Sequence, residues 1–356
     1  MLKTLFPTLS RFRFAVQALM LFVTVYGSVI IGHYAADKIT GALPALSCAY
    51  DQMNGSYCIL VPTQHQVHHR IGEAMVRAQE LTVQMVLPLL MVFLTFFAFF
   101  FVIGKAFCGW VCPLGTLQEW IGKIGRRFNI GVRRFEKGDL GEVKRVRPVK
   151  WILLLGLVFL LPLLTGLGVT PHSLGNPYCD ICPSRVATTL LTGNTEELAL
   201  RMGDGWKFGL GAAANVLIGF MLVGGLALRL PFCRICPLLA FNSVFQRLSP
   251  MRLAKPTRAN CGSCHICTDA CPMDIPEISK EEGRKAYNED CTLCGRCVEY
   301  CPQDKVIELK WGPLALFASS REYYKSKVKG ELPDGTVKPL KFVRNAAKPA
   351  AGAADA

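Results

Sequence analysis

The sequence predicts an α-helical integral membrane protein with four transmembrane helices, followed by a small α+β domain. Of the 356 residues, 51% are hydrophobic and only 19% are charged, and the mean hydropathy is +0.31. The hydrophobic residues are concentrated in four long runs before residue 255, after which the composition becomes that of a soluble domain. Such a composition excludes a soluble enzyme, a fibrous protein and a disordered chain.

Four apolar segments are long enough to cross the hydrocarbon core of a bilayer, which is about 30 Å thick and takes about 20 helical residues. None of the four contains Lys, Arg, Asp or Glu. The predicted spans cover residues 14–32, 81–103, 151–169 and 208–228. We interpret the first as an uncleaved helix, because its apolar run is longer than that of a signal peptide.

The loops between the spans differ strongly in charge. The loop at 104–150 contains eleven Lys and Arg residues, whereas the loops at 33–80 and 170–207 contain three each. By the positive-inside rule the basic loop is cytoplasmic, and with four spans both termini are cytoplasmic as well. We therefore assign the net charge of +14 to membrane topology and contact with lipid, and we expect no nucleic-acid partner.

Eight cysteines after residue 255 form two copies of the pattern C-x2-C-x2-C-x3-C-P. Three closely spaced thiolates bind one cubane, and the fourth, set apart, binds the other cluster. The pattern resembles a bacterial two-cluster ferredoxin, which is an electron-transfer module. Two zinc sites are disfavoured, because zinc binding gives no reason for the duplicated run that ends in proline. The predicted ligands are Cys261, Cys264, Cys267 and Cys301 for one [4Fe–4S] cluster, and Cys291, Cys294, Cys297 and Cys271 for the second.

Four further cysteines follow the second and fourth spans in two similar Phe-Cys…Cys-Pro-Leu motifs. They are Cys108, Cys112, Cys233 and Cys236, here called the inner set. Each motif precedes an amphipathic stretch, at 117–128 and 239–248, which is expected to lie in the membrane interface. The repeat predicts that two helix pairs bring four thiols to the cytoplasmic surface. There they bind a third [4Fe–4S] cluster, form two redox-active dithiols, or remain as buried free thiols.

The last four cysteines lie in the two loops on the other side of the membrane. They are Cys48, Cys58, Cys179 and Cys182, here called the outer set. Cys182 precedes a proline, as in a ferredoxin, so the set is a candidate for a fourth [4Fe–4S] cluster or another metal. Disulfides Cys48–Cys58 and Cys179–Cys182 are an equal alternative, because this compartment is oxidising.

These motifs together resemble the NapH/MauN-type membrane ferredoxins, with NosR-like and CcoG-like proteins as more distant relatives. The resemblance is carried by FCGWVCPL at 107–114, the second Cys-Pro motif and the two-cluster module. It implies a four-helix quinol dehydrogenase component of a bacterial inner membrane that passes electrons towards a periplasmic acceptor. The chain differs from the family in its C-x2-C-P spacing at Cys233 and Cys236 and in having the outer set.

The predicted function is electron transfer in the membrane. The chain oxidises quinol, or relays electrons between the quinone pool and a redox partner such as a cytochrome or reductase complex of a respiratory chain. The alternative is an accessory copper reductase or a maturation factor for a respiratory metalloenzyme, since CcoG-like relatives reduce copper. The sequence has no nucleophile–base pair or nucleotide fingerprint, so no covalent catalysis is expected.

Histidines in the outer loops add further candidates. We interpret His65, His68 and His69 as polar surface rather than as metal or haem ligands. His33 and His172, at the outer ends of the first and third spans, are candidates to bind a quinol headgroup and accept its proton. The predicted domains are a membrane domain at 1–255, a two-cluster domain at 256–311 and a basic, partly disordered tail at 312–356.

Overall fold

In the computed structural model the chain is mostly helical, with a three-stranded sheet towards its C-terminal part. The structure describes residues 8–31, 50–51, 55–56, 58–78, 82–128, 143–193, 195, 198–200, 202–203, 205–246, 248–255, 261, 264–279 and 289–324. His33, Cys48 and residues 325–356 of the tail predicted at 312–356 lie outside these ranges, whereas residues 312–324 of that tail are described.

The helices alternate between long segments and short ones. In chain order they are α1 (Leu9–Ile31), α2 (Leu60–His65), α3 (Glu73–Ala78), α4 (Val83–Ile103), α5 (Pro113–Arg127), α6 (Val143–Leu153), α7 (Leu161–Gly166), α8 (Pro177–Ile181), α9 (Pro183–Leu191), α10 (Gly205–Ala227), α11 (Pro237–Gln246), α12 (Ile266–Asp269), α13 (Arg296–Glu299) and α14 (Arg321–Tyr323). Turns of π-helix at Gln66–Gly72, Phe107–Val111 and Leu154–Leu160 join some of them.

Four of these helical segments are long and apolar enough to cross a membrane, judged by length and composition. They are α1, α4, the continuous segment Val143–Gly166 and α10, which confirms the four predicted apolar runs. The third begins at Val143 rather than at residue 151. The reason is that its first turns are not left in water, since Arg147 and Lys150 pair with acidic residues of the C-terminal domain.

Short helices between the spans pack back into the bundle. Ile59 and Leu60, at the start of α2, are each 1% exposed and share an apolar core with Phe96 and Phe100 of α4 and Val158 of the third span. Further along the chain, residues Pro237–Ser243 of α11 are all buried. The residues Pro237–Ser243 are therefore packed inside the protein, whereas Val244 is 54% exposed and Leu248 is 62% exposed. The expected position of this stretch in the membrane interface stays a prediction.

The C-terminal domain contains a three-stranded antiparallel sheet in the order β3-β4-β5. Its strands are β3 (Met251–Ala254), β4 (Glu308–Trp311) and β5 (Leu314–Ala318), and a separate two-stranded hairpin joins β1 (Tyr50–Asp51) to β2 (Gly55–Ser56). Met251 pairs with Trp311, and Glu308 pairs with Ala318. The strand β3 thus precedes the predicted boundary at residue 256, which stays a prediction. We call the described residues from 251 onwards the ferredoxin module.

The ferredoxin module docks on one end of the bundle, here called the docking end. The start of α1 contacts it through Ser10, which donates to Glu299. At the end of α4, the Val102 carbonyl accepts from Trp311 Nε1 at 3.0 Å. Similar contacts come from the start of the third span and from just after the fourth, through Lys150–Asp290 and Arg229–Asp269. Consecutive spans therefore run in opposite directions, as an up-and-down bundle requires.

Glu119 of α5 joins three parts of the chain at the docking end. It is 9% exposed and pairs with Arg13 of α1 and, at 3.0 Å, with Arg296 of the ferredoxin module. Gln17 Nε2 donates to it at 3.2 Å and also to the Gly109 carbonyl at 3.1 Å. Although burial acts to raise the pKa of Glu119, the guanidinium groups of Arg13 and Arg296 lower it to about 2.

We expect Glu119→Gln to lower the free energy of unfolding by about 3 kcal/mol, because it takes the carboxylate away from the buried guanidinium of Arg13 and breaks the ion pair with Arg296. In the purified protein in detergent, the thermal midpoint should fall by roughly 5–10 °C. The matched control is Glu322→Gln, which removes an exposed carboxylate of the same module and should leave the midpoint unchanged.

The difference between parent and Glu119→Gln should also depend on pH. A carboxyl with a folded-state pKa of about 2 stabilises the fold above its unfolded pKa of about 4.3, and this contribution is lost as the pH falls towards 2. The difference in midpoint should therefore be flat between about pH 5 and 8 and should shrink only below about pH 4. A difference that changed across neutral pH would contradict this assignment.

Candidate functional site

The structure brings together the thiols of the ferredoxin module as the spacing predicts. Cys271, Cys291, Cys294 and Cys297 line one cavity. The thiols of Cys264, Cys267 and Cys301 are electrostatic neighbours, and Cys261 packs against the same core. Two left-handed residues, His265 (φ 56°) and Gly295 (φ 78°), turn the chain between ligands at equivalent positions of the two runs.

The inner set also comes together, beside the docking end. Cys233 and Cys236 interact electrostatically with Cys108 and Cys112, so all four thiols are neighbours. Asn242 Nδ2 donates to Cys108 Sγ at 3.5 Å, within the 4.0 Å range of hydrogen bonds to sulfur. Burial raises the pKa of Cys108 to about 12, with Cys112 adding to the effect.

Three members of the outer set form a second group. Cys58 and Cys182 are electrostatic neighbours of Cys179, which is itself buried. Burial, together with the neighbouring Cys58 thiol, raises the pKa of Cys182 to about 11. The fourth predicted member, Cys48, lies outside the described residues.

Two glutamines hold the two groups in the same way. Gln118 donates to the Leu114 carbonyl and to Cys233 Sγ at 3.3 Å, and its Oε1 accepts from the Phe232 N–H at 3.0 Å. Gln64 donates to the Leu60 carbonyl and to Cys179 Sγ at 3.0 Å, and its Oε1 accepts from the Tyr178 N–H at 3.2 Å. The inner and outer groups are therefore two copies of one local structure.

The copies are related by a constant shift in residue number. A shift of 54 converts Cys58, Leu60 and Gln64 into Cys112, Leu114 and Gln118. The same shift converts Cys179, Cys182 and Pro183 into Cys233, Cys236 and Pro237. The sequence prediction missed both glutamines, although their common position, six residues after a cysteine that follows a span, was a signal that could have identified them.

The two groups lie next to each other inside the bundle. The Tyr178 side chain is an electrostatic neighbour of Cys182 and Cys58 and also of Cys236, and Cys58 interacts with Cys108. The sequence prediction placed the two sets at opposite edges of the membrane. That placement is wrong, because α2, α8 and α9 carry the outer group back between the spans, where Cys58, Cys179 and Cys182 join the core that contains Cys108 and Cys236.

The inner set in turn adjoins the ferredoxin module. Cys108 and Cys233 line one cavity together with Thr292 and Cys294. Gly109 makes this approach sterically feasible, since a Cβ there would lie 2.5 Å from the Thr292 carbonyl oxygen. Trp110 Nε1 donates to the Leu293 carbonyl at 3.1 Å and fixes the same contact.

A cluster of four polar side chains lies at the end of the bundle away from the ferredoxin module. We call this end the far end. Side chains of His68, His69, His172 and Glu73 bring one donor atom each to within 4.8 Å of one another. The interpretation of His68 as polar surface is wrong, because it is 2% exposed. Glu73 was missed from the sequence. The proposed quinol partners His33 and His172 remain a hypothesis, since His33 lies outside the described residues.

Comparison with known proteins identifies iron–sulfur domains in three parts of the chain. A 4Fe-4S binding domain matches residues 85–131 and 211–256, and a 4Fe-4S dicluster domain matches residues 260–307. Each of the first two ranges contains the greater part of a span and the inner-set motif that follows it. The dicluster range contains all eight cysteines of the ferredoxin module.

Several curated proteins are similar to this chain. It is 29% identical to YccM of Escherichia coli over 199 residues, which are 56% of this chain and 49% of YccM. It is 25% identical to the ferredoxin-type protein NapH of Escherichia coli over 214 residues, 58% of this chain and 63% of NapH. It is 30% identical to the regulatory protein NosR of Pseudomonas aeruginosa over 223 residues, 61% of this chain and 27% of NosR.

The chain thus spans less than two thirds of the length of each of these three relatives. No solved structure matches it. The resemblance to NapH-type and NosR-like proteins that the motifs predicted is confirmed.

We expect Gly109→Ala to separate the inner set from the ferredoxin module, because the new methyl group meets backbone rather than a flexible side chain. Forcing a methyl group into such a contact costs about 1–3 kcal/mol, so the thermal midpoint in detergent should fall. Gly219→Ala is the matched control, since a Cβ there meets nothing within 4 Å. If Gly109→Ala and Gly219→Ala had the same thermal midpoint, the close approach of Gly109 to the Thr292 carbonyl would be contradicted.

Proposed function

We propose that this chain, an iron–sulfur electron-transfer protein related to NapH and NosR, moves electrons between the quinone pool and a redox partner through four iron–sulfur centres in series. Two centres lie in the ferredoxin module, one on the inner set and one on the outer set. The observation that carries the proposal is the adjacency of the thiol groups, since each has the next as a neighbour.

The chemistry of the thiol groups fits iron–sulfur clusters. Burial raises the pKa of Cys108 to about 12 and of Cys182 to about 11, so neither is a thiolate at neutral pH unless a cation compensates. Iron bound by Cys108 and Cys182 would supply that compensation. The N–H···S hydrogen bonds from Gln64, Gln118 and Asn242 are of the kind that tunes the potential of a bound cluster.

The path begins in the ferredoxin module, where Cys297 is an electrostatic neighbour of Cys267 across its two cysteine groups. It continues from Cys294 to Cys108 and Cys233 of the inner set. From Cys236 it passes Tyr178 to Cys58 and Cys182 of the outer group. The clusters supply the redox chemistry, and the residues of this chain fix their positions and exclude water.

The charge pattern supports an orientation for this path. The docking end carries Lys144, Arg147 and Lys150 of the basic loop, so the positive-inside rule puts the ferredoxin module in the cytoplasm of a bacterium. The outer group then extends the path towards the periplasmic side of the inner membrane. The proposal has three further parts. Quinol is a reactant, an acceptor complex is the redox partner, and both termini of the chain lie in the cytoplasm.

Iron content tests the number of centres. The parent protein, purified anaerobically, should contain ~16 iron atoms per chain, on the basis of four iron atoms per cluster. Cys112→Ser with Cys236→Ser should remove ~4, and Cys58→Ser with Cys179→Ser should remove another ~4. Each double variant is the control for the other, because the loss must be confined to one group.

About 8 iron atoms in the parent would instead assign both membrane groups to dithiols or disulfides. Mapping of the thiols after alkylation then distinguishes these two states, because alkylating reagents modify free thiols and leave disulfides intact. Either result contradicts the four-centre path.

Electron transfer from quinol tests the function itself. When a reduced quinol analogue is mixed with the oxidised protein, the visible absorption of the clusters should bleach, and the rate of bleaching is measured. The double variant at Cys58 and Cys179 should keep its ferredoxin clusters but lose at least about tenfold in bleaching rate if quinol is oxidised next to the outer group. Reduction of a copper salt by the chemically reduced protein, with no response to quinol, would favour the alternative function of an accessory copper reductase.

A further inference from the structure

We infer that the far end of the bundle holds a binding site for a divalent first-row transition-metal ion, with zinc as the reference ion, built by His68, His69, His172 and Glu73. This site is separate from the cysteine groups, and it stands whether or not those groups bind clusters. The donors are three imidazole nitrogens and one carboxylate oxygen, a set suited to zinc and copper and distinct from the thiolates that bind iron–sulfur clusters.

The distances between the donors match a tetrahedral ion. From Glu73 Oε1 it is 2.9 Å to His69 Nδ1, 3.5 Å to His68 Nε2 and 3.9 Å to His172 Nε2. Donors at the corners of a tetrahedron with metal–ligand bonds of 2.0–2.1 Å are about 3.3–3.4 Å apart. The three distances from Glu73 lie on both sides of that value, and all four donor atoms lie within 4.8 Å of one another. Side-chain rotations would bring them to the corners of a tetrahedron around an ion.

The buried member of the group points to a ligand. His68 is 2% exposed, and among the described residues its Nε2 makes no hydrogen bond, although it lies 3.5 Å from Glu73 Oε1. A buried ring nitrogen normally makes a hydrogen bond, and an ion held between Nε2 and the carboxylate would satisfy both atoms. The ring is fixed in place, because it stacks on His69 with centroids 4.0 Å apart and lies 4.8 Å from the His172 ring.

The two-copy structure shows that this site is an addition to the shared motif. The shift between the copies is 54 up to Gln64 and Gln118, but it becomes 53 at Gly72 and Gly125, each of which packs against a neighbouring span. The first copy therefore contains one extra residue, which the π-helical turn Gln66–Gly72 accommodates. Such turns are frequent at functional sites, and this one carries His68 and His69.

The position of the site suggests what the ion does. His68 lies one helical turn after Gln64, which contacts Cys179, and His172 precedes Cys179 by seven residues. A bound ion would join the segment that follows Cys58 and α2 to the loop before α8, the helix that contains Cys179. It would thus hold together the two halves of the outer group from its far side.

The test is a titration of the full-length protein with zinc alone. Protein purified anaerobically in detergent and washed with chelator should take up about one zinc ion per chain at this site. Absorption fine structure at the zinc K-edge should show nitrogen and oxygen neighbours with imidazole scattering. His172→Ala and Glu73→Gln should each weaken zinc binding at least about tenfold. The His172 side chain is 77% exposed, so its loss leaves the fold intact.

The matched control is His65→Gln, which removes an exposed histidine of the same segment that is not among the four donors and should bind zinc as the parent does. A thermal midpoint in detergent equal to that of the parent shows that each variant is folded. A sulfur-dominated zinc shell, or unchanged binding in both His172→Ala and Glu73→Gln, overturns the assignment. Equal loss in His65→Gln and His172→Ala also overturns it.

Discussion

The structure depends on how polar groups are satisfied inside an apolar bundle. Where the chain bends to present cysteines between the spans, backbone N–H groups leave the helical hydrogen-bond pattern, and an unpaired one would be costly where no water is available. Gln118 and Gln64 solve this in the same manner, because one carboxamide accepts from the backbone N–H beside a cysteine and donates to the sulfur of that cysteine. The bend and the position of the thiol are thus fixed by one side chain.

Because consecutive spans run in opposite directions, the two copies of this motif enter the bundle from opposite ends. Each inserts short helices between the spans, and the two thiol groups meet in the interior with Tyr178 between them. Membrane proteins with inverted repeats commonly place their sites where discontinuous helices of two repeats meet. The same arrangement here turns four spans, which by themselves only cross the bilayer, into supports for two adjacent thiol groups.

The sequence predicted the features that depend only on residues close to one another along the chain. The four spans are uninterrupted apolar runs, and the cysteines of the ferredoxin module follow a strict spacing, so the spans and the grouping of these cysteines could be predicted without a structure. The outer set was placed at the surface because hydropathy detects long apolar runs, whereas α2, α8 and α9 are short and are stabilised by tertiary packing. Glu73 and Glu119 resemble ordinary surface carboxylates in the sequence, and only the fold brings them to histidines or arginines. The strand β3 was missed because it is only four residues long, which is too short for a recognisable alternation of apolar and polar residues.

A buried cation near the cysteines would offset the negative charge that clusters ligated by thiolates bring to these sites. Lys105 is fully buried between the inner set and the ferredoxin module, where its Nζ donates to the Glu289 carbonyl at 2.5 Å. Burial lowers its pKa to about 8, while the neighbouring thiols of Cys291 and Cys108 act in the opposite direction. A cluster ligated by thiolates is anionic, so binding on either side of Lys105 would favour its charged form and remove much of the desolvation penalty. The ammonium group would in return favour the reduced, more negative state of both clusters, which links the docking of the ferredoxin module to the potential of the centres that it joins.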